Sequence, residues 1–307
     1  MTHPVVDAHC HIFQELRGQV AAGPTSGLGY GRMAVGETQM QMLPPYNPRT
    51  EFTAEMLVAN MDWAGVDRAV LLQGTFYGEC DDYTLAALRA YPGRLAGALF
   101  ADPWRAGFRE DFDRLVDNGG FRAAKIEFSD HTGLSGVHPS ARLDGEEVAW
   151  LWGELERLKM VLVLDLGAPS NRSYQTEAVG KIAERHRDLR IVIAHLGQPC
   201  PAEAEALRKW EEQIDLGGLP NVFFDAAALI AILPPEEYPY PKAALYLGMA
   251  MDRIGRGKIM WGTDQPGLLK FSNYPQLLQM AKRHSKHLSS DEQALFLGGT
   301  AQAVYFD

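Results

Sequence analysis

The chain has 307 residues, 46% of them hydrophobic and 22% charged, with a formal net charge of -10. That composition excludes a disordered chain, and the acidic balance excludes the clustered positive surface that binding a phosphate backbone or an anionic membrane requires. One large domain is expected, with a small-molecule substrate as its partner, no nucleic acid, no membrane, and self-association into a homo-oligomer left open.

At the amino terminus, MTHPVVDAHCH has no basic segment leading into an apolar stretch, and no later run of about 18 apolar residues follows, so a cytoplasmic location is expected. Eight short β-rich runs come next in order, at 5–8, 69–72, 95–100, 123–128, 161–164, 191–194, 222–224 and 259–261. Between them lie helical stretches such as 53–64, 81–91, 146–158 and 176–187, with apolar residues recurring at i, i+3 or i+4. The alternation predicts parallel strands joined by crossover helices, and eight such units predict a single-domain (β/α)8 TIM barrel over 1–307. A doubly wound sheet is disfavoured because no glycine-rich phosphate loop follows the first strand. Residues 14–51, rich in Gly, Met and Pro, are expected as a long loop insertion serving as a lid or an interface element, because they leave the face where barrel active sites sit. Cys10, Cys80 and Cys200 lie far apart without a CxxC pair, which points to neither a disulfide framework nor a thiolate zinc site.

Alternation along the first run places Val6, Ala8, Cys10 and Ile12 on one face and Asp7, His9 and His11 on the other. Two convergent imidazoles suit one divalent metal such as zinc or manganese, since imidazole nitrogen is a good ligand for such ions. Two later apolar runs also end in chemistry, 191–194 in His195 and 259–261 in Asp264. A buried run ending in an ionisable side chain is costly unless that group is paired, ligated or at the open mouth. Asp264 beside a cation, or facing a water aimed at an electrophilic carbon, can accept that water's proton. On the fourth run Lys125 and Glu127 share the face opposite Ala124, Ile126 and Phe128, where they either bind substrate or pair with each other. Gln73 and Tyr77 follow the second run and either touch substrate or shape a turn.

Taken together, DAHCHIF at 7–13, RIVIAHLGQP at 190–199 and IMWGTDQP at 259–266 resemble the amidohydrolase superfamily, in the branch that holds small-lactone hydrolases, hydratases and non-oxidative decarboxylases. LLQGTFYG, GRLAGALFADP, GFRAAKIEF and LGGTAQAVYF extend the likeness over nearly the whole chain. The resemblance implies that His9 and His11 hold a metal or line its place, that His195 polarises or ligates, and that Asp264 acts as base and ligand. It also implies a departure, because the fifth run should carry a histidine where Asp165 stands. Asp165 could keep a metal with oxygen in place of nitrogen, and a metal-free form stays open. The expected reaction is water addition at an ester-like carbonyl, a small carboxylated or sugar-derived lactone, on which Lys125, Glu127, Gln73 and Tyr77 would bind substrate. The alternatives are decarboxylation of an aromatic or muconate-like acid, disfavoured by Gln198 where such enzymes place a glutamate, and a barrel that only binds.

Overall fold

The computed structural model describes residues 4–307. The apolar runs form eight parallel strands in one sheet: β1 (Val6–Cys10), β6 (Arg68–Leu71), β7 (Leu95–Phe100), β8 (Ala123–Glu127), β9 (Val161–Asp165), β10 (Ile191–Ile193), β11 (Val222–Asp225) and β12 (Ile259–Met260). Four further strands, β2 (Gln19–Val20), β3 (Gly23–Gly29), β4 (Arg32–Val35) and β5 (Thr38–Gln41), form a separate antiparallel sheet. The eight-stranded sheet closes through backbone bonds between its first and last strands: Ala8 N–H to Trp261 O (3.0 Å), Asp264 N–H to His9 O (2.8 Å) and His11 N–H to Gln265 O (2.7 Å). The chain is a single-domain (β/α)8 barrel, as its periodicity predicts.

Alternation on each strand divides the core into two layers. Val70, Ala98, Val161, Val163, Val192 and Met260 fill the barrel interior. Leu71, Leu99, Ile126, Leu162, Leu164 and Phe224 meet the surrounding helices. Those helices are α1 (Ala54–Ala64), α2 (Asp81–Ala90), α3 (Phe108–Asp117), α4 (Ala149–Arg157), α5 (Thr176–Arg185), α6 (Ala204–Ile214), α7 (Pro241–Ile254) and α8 (Tyr274–His284). Helix α1 begins where Thr53 caps the Met56 N–H and stops at Gly65, whose left-handed φ of 74° ends the ladder. The terminal helix α9 (Thr300–Tyr305) adds Val304 and Tyr305 to the interior cluster and closes the end of the barrel away from the mouth. No helix among the described residues is long and apolar enough to cross a membrane.

The expectation of a long loop at 14–51 is corrected, since the segment carries the four-stranded sheet in the order β2-β3-β4-β5. Met33 and Val35 turn into the core while Arg32 is exposed, and Met33 pairs with Met40 across the hairpin. Gly31 and Gly36 supply positive φ at its turns. Besides this apolar packing, a hydroxyl ties the sheet to the barrel: Thr25 Oγ1 accepts the Gly18 N–H and donates to Phe76 O, each at 2.7 Å. Phe76 immediately precedes Tyr77 in the loop after β6. Replacing Thr25 by Val keeps the shape and removes the hydroxyl, leaving two backbone groups unpaired at a cost of about 1–3 kcal/mol each. Thr25→Val is expected to lower the denaturation midpoint and to raise amide exchange at residues 18–29 and 76–78, read by hydrogen exchange. Unchanged protection there would show that the sheet is held by packing alone.

Candidate active site

The site sits on the seam where β1 meets β12. Asp7 is fully buried behind it and accepts the His9 N–H (3.1 Å), the Thr263 N–H (2.9 Å), the Thr263 hydroxyl and the Tyr274 hydroxyl (2.8 Å). Burial pushes its carboxyl up in spite of these donors. The pairing of β1 with β6 shifts register between Asp7 and Cys10. That irregularity corrects the expected alternation: Val6 and Ala8 lie in the barrel interior, Asp7 faces α8, and His9 and His11 turn into the mouth while Cys10 packs outside. Gly262 permits the close approach, since a Cβ there would lie 3.1 Å from the His9 Cβ and 3.2 Å from the Ala227 Cβ.

His9, His11, His195 and Asp264 converge. His9 stacks on His195 with ring centroids 4.6 Å apart and meets His11 edge-on at 5.1 Å. The Asp264 carboxylate lies 2.8 Å from His11 Nε2 and 3.8 Å from His9 Nε2. Its side chain is 24% exposed while those of His9 and His195 are 0% and 8%, so Asp264 is the group that solvent reaches. Both His195 and Asp264 hold left-handed backbone, with φ of 57° and 59°. Such conformations cost a non-glycine residue roughly 1–3 kcal/mol and persist only when neighbours fix them. Here the His195 N–H is held by Asp225 Oδ1 at 3.0 Å and the Asp264 N–H by His9 O at 2.8 Å.

Asp225, at the end of β11, escaped the sequence reading, which ended that strand at Phe224. Its signal was present, because Val222-Phe223-Phe224-Asp225 is another apolar run ending in a carboxylate. Asp225 Oδ2 accepts the His9 Nδ1–H at 3.0 Å. Burial opposes its charge, but His9 and His195 outweigh that and hold the carboxyl below its ordinary range.

Asp165 meets His195 Nε2 at 3.2 Å, and its other oxygen accepts the Gly167 N–H and the Gln198 amide at 3.0 and 3.1 Å. His195 Nδ1 faces Ala227 O at 3.3 Å. Both ring nitrogens therefore face acceptors, an arrangement that suits the protonated ring. Burial works against that charge, yet Asp165, Asp264 and Asp225 outweigh it and push His195 up to about 10. The same pairing with His195 overcomes burial to hold Asp165 far below the carboxylate range. Asp165 and His195 thus form an internal ion pair, and His195 also belongs with His9 and Asp225 to a group whose ligand atoms lie within 4.8 Å of one another.

Lys125 and Glu127 do enter the mouth, and they pair with each other at 3.0 Å. Burial and Asp165 raise Glu127 to about 7, and its other oxygen accepts the Ser129 hydroxyl at 3.1 Å. Tyr77 stacks on His11 at 4.9 Å and walls the site. Gln73 is corrected as a substrate contact: it points to the helix side of its strand, where its amide donates to Ile12 O (2.7 Å) and Thr84 Oγ1 (3.1 Å).

The donor set fits a divalent cation. His9, His11 and Asp264 offer ligand atoms within 4.8 Å of one another. Because its Nδ1–H is given to Asp225, His9 presents an Nε2 lone pair that is buried and without a hydrogen-bond partner. His9, His195 and Asp225 are equally close, but in that group Asp225 already accepts from both partners. Burial, only partly offset by Asp264, lowers His11 to about 4 and leaves it neutral at pH 7. Burial also opposes the charge of Asp264, and His11, His195 and His9 outweigh it to hold the carboxyl at about 2. Three carboxylates, Asp165, Asp225 and Asp264, thus face two cations, His195 and Lys125, before Glu127 is counted, an imbalance that a bound cation would relieve.

The chain is 26% identical over 170 residues to an L-fucono-1,5-lactonase of Burkholderia multivorans, a match covering 52% of this chain and 54% of that protein. It thus spans about half the length of that relative. Among solved structures, an amidohydrolase from Burkholderia multivorans with bound zinc is similar at a TM-score of 0.70 and 20% identity, covering 98% of this chain and 99% of that one. A probable 2-pyrone-4,6-dicarboxylic acid hydrolase from Acinetobacter baumannii, with citric acid bound, is similar at a TM-score of 0.70 and 15% identity over 99% of each chain. The 5-carboxyvanillate decarboxylase of Sphingomonas paucimobilis is similar at a TM-score of 0.56 and 17% identity over 81% of each chain. The amidohydrolase family model matches residues 6–306, and with the histidine and aspartate constellation on the barrel seam this places the chain in the amidohydrolase family.

Proposed function

We propose that this amidohydrolase adds water to the carbonyl of a lactone ring. The observation that carries the reading is the position of Asp264, an ionised carboxylate open to solvent, with the cationic His195 and the unpartnered His9 Nε2 beside it. Asp264 accepts the proton of the attacking water and returns it to the leaving ring oxygen. The part of the His195 charge that Asp165 leaves uncompensated favours negative charge as it grows on the carbonyl oxygen, an effect that is larger where water is excluded. A carboxyl held at about 2 is a weak base, so a second source of activation is needed. A zinc or manganese ion held by His9, His11 and Asp264 would supply it, polarising the ester carbonyl and making water easier to deprotonate. The L-fucono-1,5-lactonase relative supports a lactone as the substrate class. A carboxylate on the ring finds less support, because Lys125 is already neutralised by Glu127. For the same reason decarboxylation of an aromatic acid is the second reading, resting on the decarboxylase of similar fold. In this reading the insertion at 14–51 forms the lid side of the mouth, since Thr25 ties it to Phe76, next to the Tyr77 ring that walls the site.

Asp264→Asn keeps the shape of the side chain but cannot take a proton at neutral pH. Turnover on a hydrolysed lactone should fall by about 100-fold or more, with the fold intact by circular dichroism. Near-normal turnover would place the base elsewhere, and release of carbon dioxide from a panel of aromatic acids, with no lactone opened, would favour the decarboxylase reading.

Asp225→Asn removes the carboxylate that orients His9 without removing a ligand. Zinc or manganese affinity, measured by competition with a chromogenic chelator, should weaken by about 10- to 100-fold. Unchanged affinity would mean that His9 is not a ligand.

The Asp165–His195 pair also predicts a pH dependence. A histidine whose pKa rises from 6.5 in the unfolded chain to about 10 in the fold adds stability that is complete below pH 6.5 and lost as pH climbs towards 10. In chelator-treated protein the melting temperature should fall over that window, and Asp165→Asn should flatten the decline. Parallel curves for the two proteins would refute the pairing as the cause.

A further inference from the structure

The loops that follow β9, β10, β11 and β12 line a cleft of about 640 Å³ that is open to solvent on one side, where Phe271 is 45% exposed, and that reaches towards the catalytic constellation at Gln198. Gln198 belongs to both, lining the cavity while its amide holds Asp165 at 3.1 Å. Ala168 and Ile230 on the cavity wall lie a few residues beyond Asp165 and Ala227, the partners of His195. The rest of the wall is apolar, formed chiefly by Pro199, Ile230, Leu233 and Phe271. Tyr240 turns its hydroxyl away, to Ser272 Oγ at 3.1 Å and Phe271 O at 3.3 Å. Glu236 is the one charged residue lining the cavity, and it accepts the Lys242 N–H at 2.8 Å with the Lys242 ammonium 3.8 Å away. A substrate group entering this space meets mainly aliphatic and proline side chains, with Gln198 and Glu236 as the polar side chains at its edge.

From this wall we infer that the lactone carries an apolar substituent, an alkyl or aryl arm on the ring, which this cavity takes while the carbonyl sits between His195 and Asp264. The inference rests on the lactone reading above and adds the substrate class to it. A polyhydroxylated arm would strip its hydroxyls of water without replacing those bonds, whereas an apolar arm gains from leaving water.

The test is a series of γ-lactones with unbranched side chains of increasing length, together with a hydroxylated hexonolactone, assayed with the metal-loaded enzyme. Burial of one methylene is worth about 0.8 kcal/mol, so kcat/KM should rise by about three- to fourfold per carbon until the chain meets the far wall. The hydroxylated lactone should fall below the alkyl lactone of equal size. Ile232 lines the cavity and is half-buried, so Ile232→Asp tests the wall at a position that tolerates a polar group. The variant should lose the rise with chain length, whatever its rate on the unsubstituted ring. A flat or falling series in the wild-type enzyme, or an equal rise in Ile232→Asp, overturns the apolar subsite while leaving ring opening intact. Failure to open any lactone of the series overturns the lactone reading and this inference with it.

Discussion

The barrel must close between a first strand that carries His9 and leads into His11 and a last strand of two residues, Ile259–Met260, and this closure is the constraint on which the site depends. So short a ladder offers little pairing of its own. The buried Asp7 carboxylate compensates, gathering donors from both sides of the seam and from the first turn of α8. A hydrogen bond to a charged acceptor is worth about 1.5–3 kcal/mol, and a buried donor left without one costs a comparable amount. The seam is therefore specified by polar geometry, while the other barrel junctions are specified by aliphatic packing. His9, His11 and Asp264 hang from the two sides of this junction, so their spacing follows from it.

Much of this was legible in the chain. The eight strands announced themselves because buried parallel strands read as short aliphatic runs, and their starts fall within a residue or so of the observed ones. His9, His11, His195 and Asp264 were legible because each follows apolar residues whose burial leaves an ionisable group only the barrel mouth to occupy. The face of Asp7 was not legible, since a register irregularity depends on how β1 meets β6, where Asp7 pairs with Ala69. Residues 14–51 were misread for a compositional reason: strands rich in Gly, Ser, Pro, Met and Gln carry weak β signals, and their stability comes from Met33, Val35 and Leu43 docking on the barrel. Gln73 and the Asp165–His195 pair depended on where neighbouring strands present their atoms, which spacing within one strand does not encode.

The electrostatic design is one of opposed charges held out of water. Asp165 offsets His195, Glu127 offsets Lys125, and the negative excess gathers around the His9 and His11 nitrogens. Removing one member of such a pair leaves the other uncompensated in a poorly solvated place, so these residues act as a unit. Two of them, His195 and Asp264, also hold strained backbone, and the hydrogen bonds that fix the strain come from Asp225 and from the seam itself. Stability and chemistry are thus drawn from the same few contacts.

Closure by the last strand has a consequence for biosynthesis. The ribosome releases His9 early and Asp264 some 255 positions later, an interval of roughly 10 to 50 seconds at about 5–20 residues per second. Throughout that time β1 has an unpaired edge, and the growing sheet has another at its newest strand. Nascent chains that stop before Ile259 can neither assemble the constellation nor cover those edges, which are templates for wrongful pairing between chains. A stalled or truncated product of this gene would be an aggregation hazard rather than a weak enzyme, and a cell making it would need to shield the unfinished barrel until its final strand arrives.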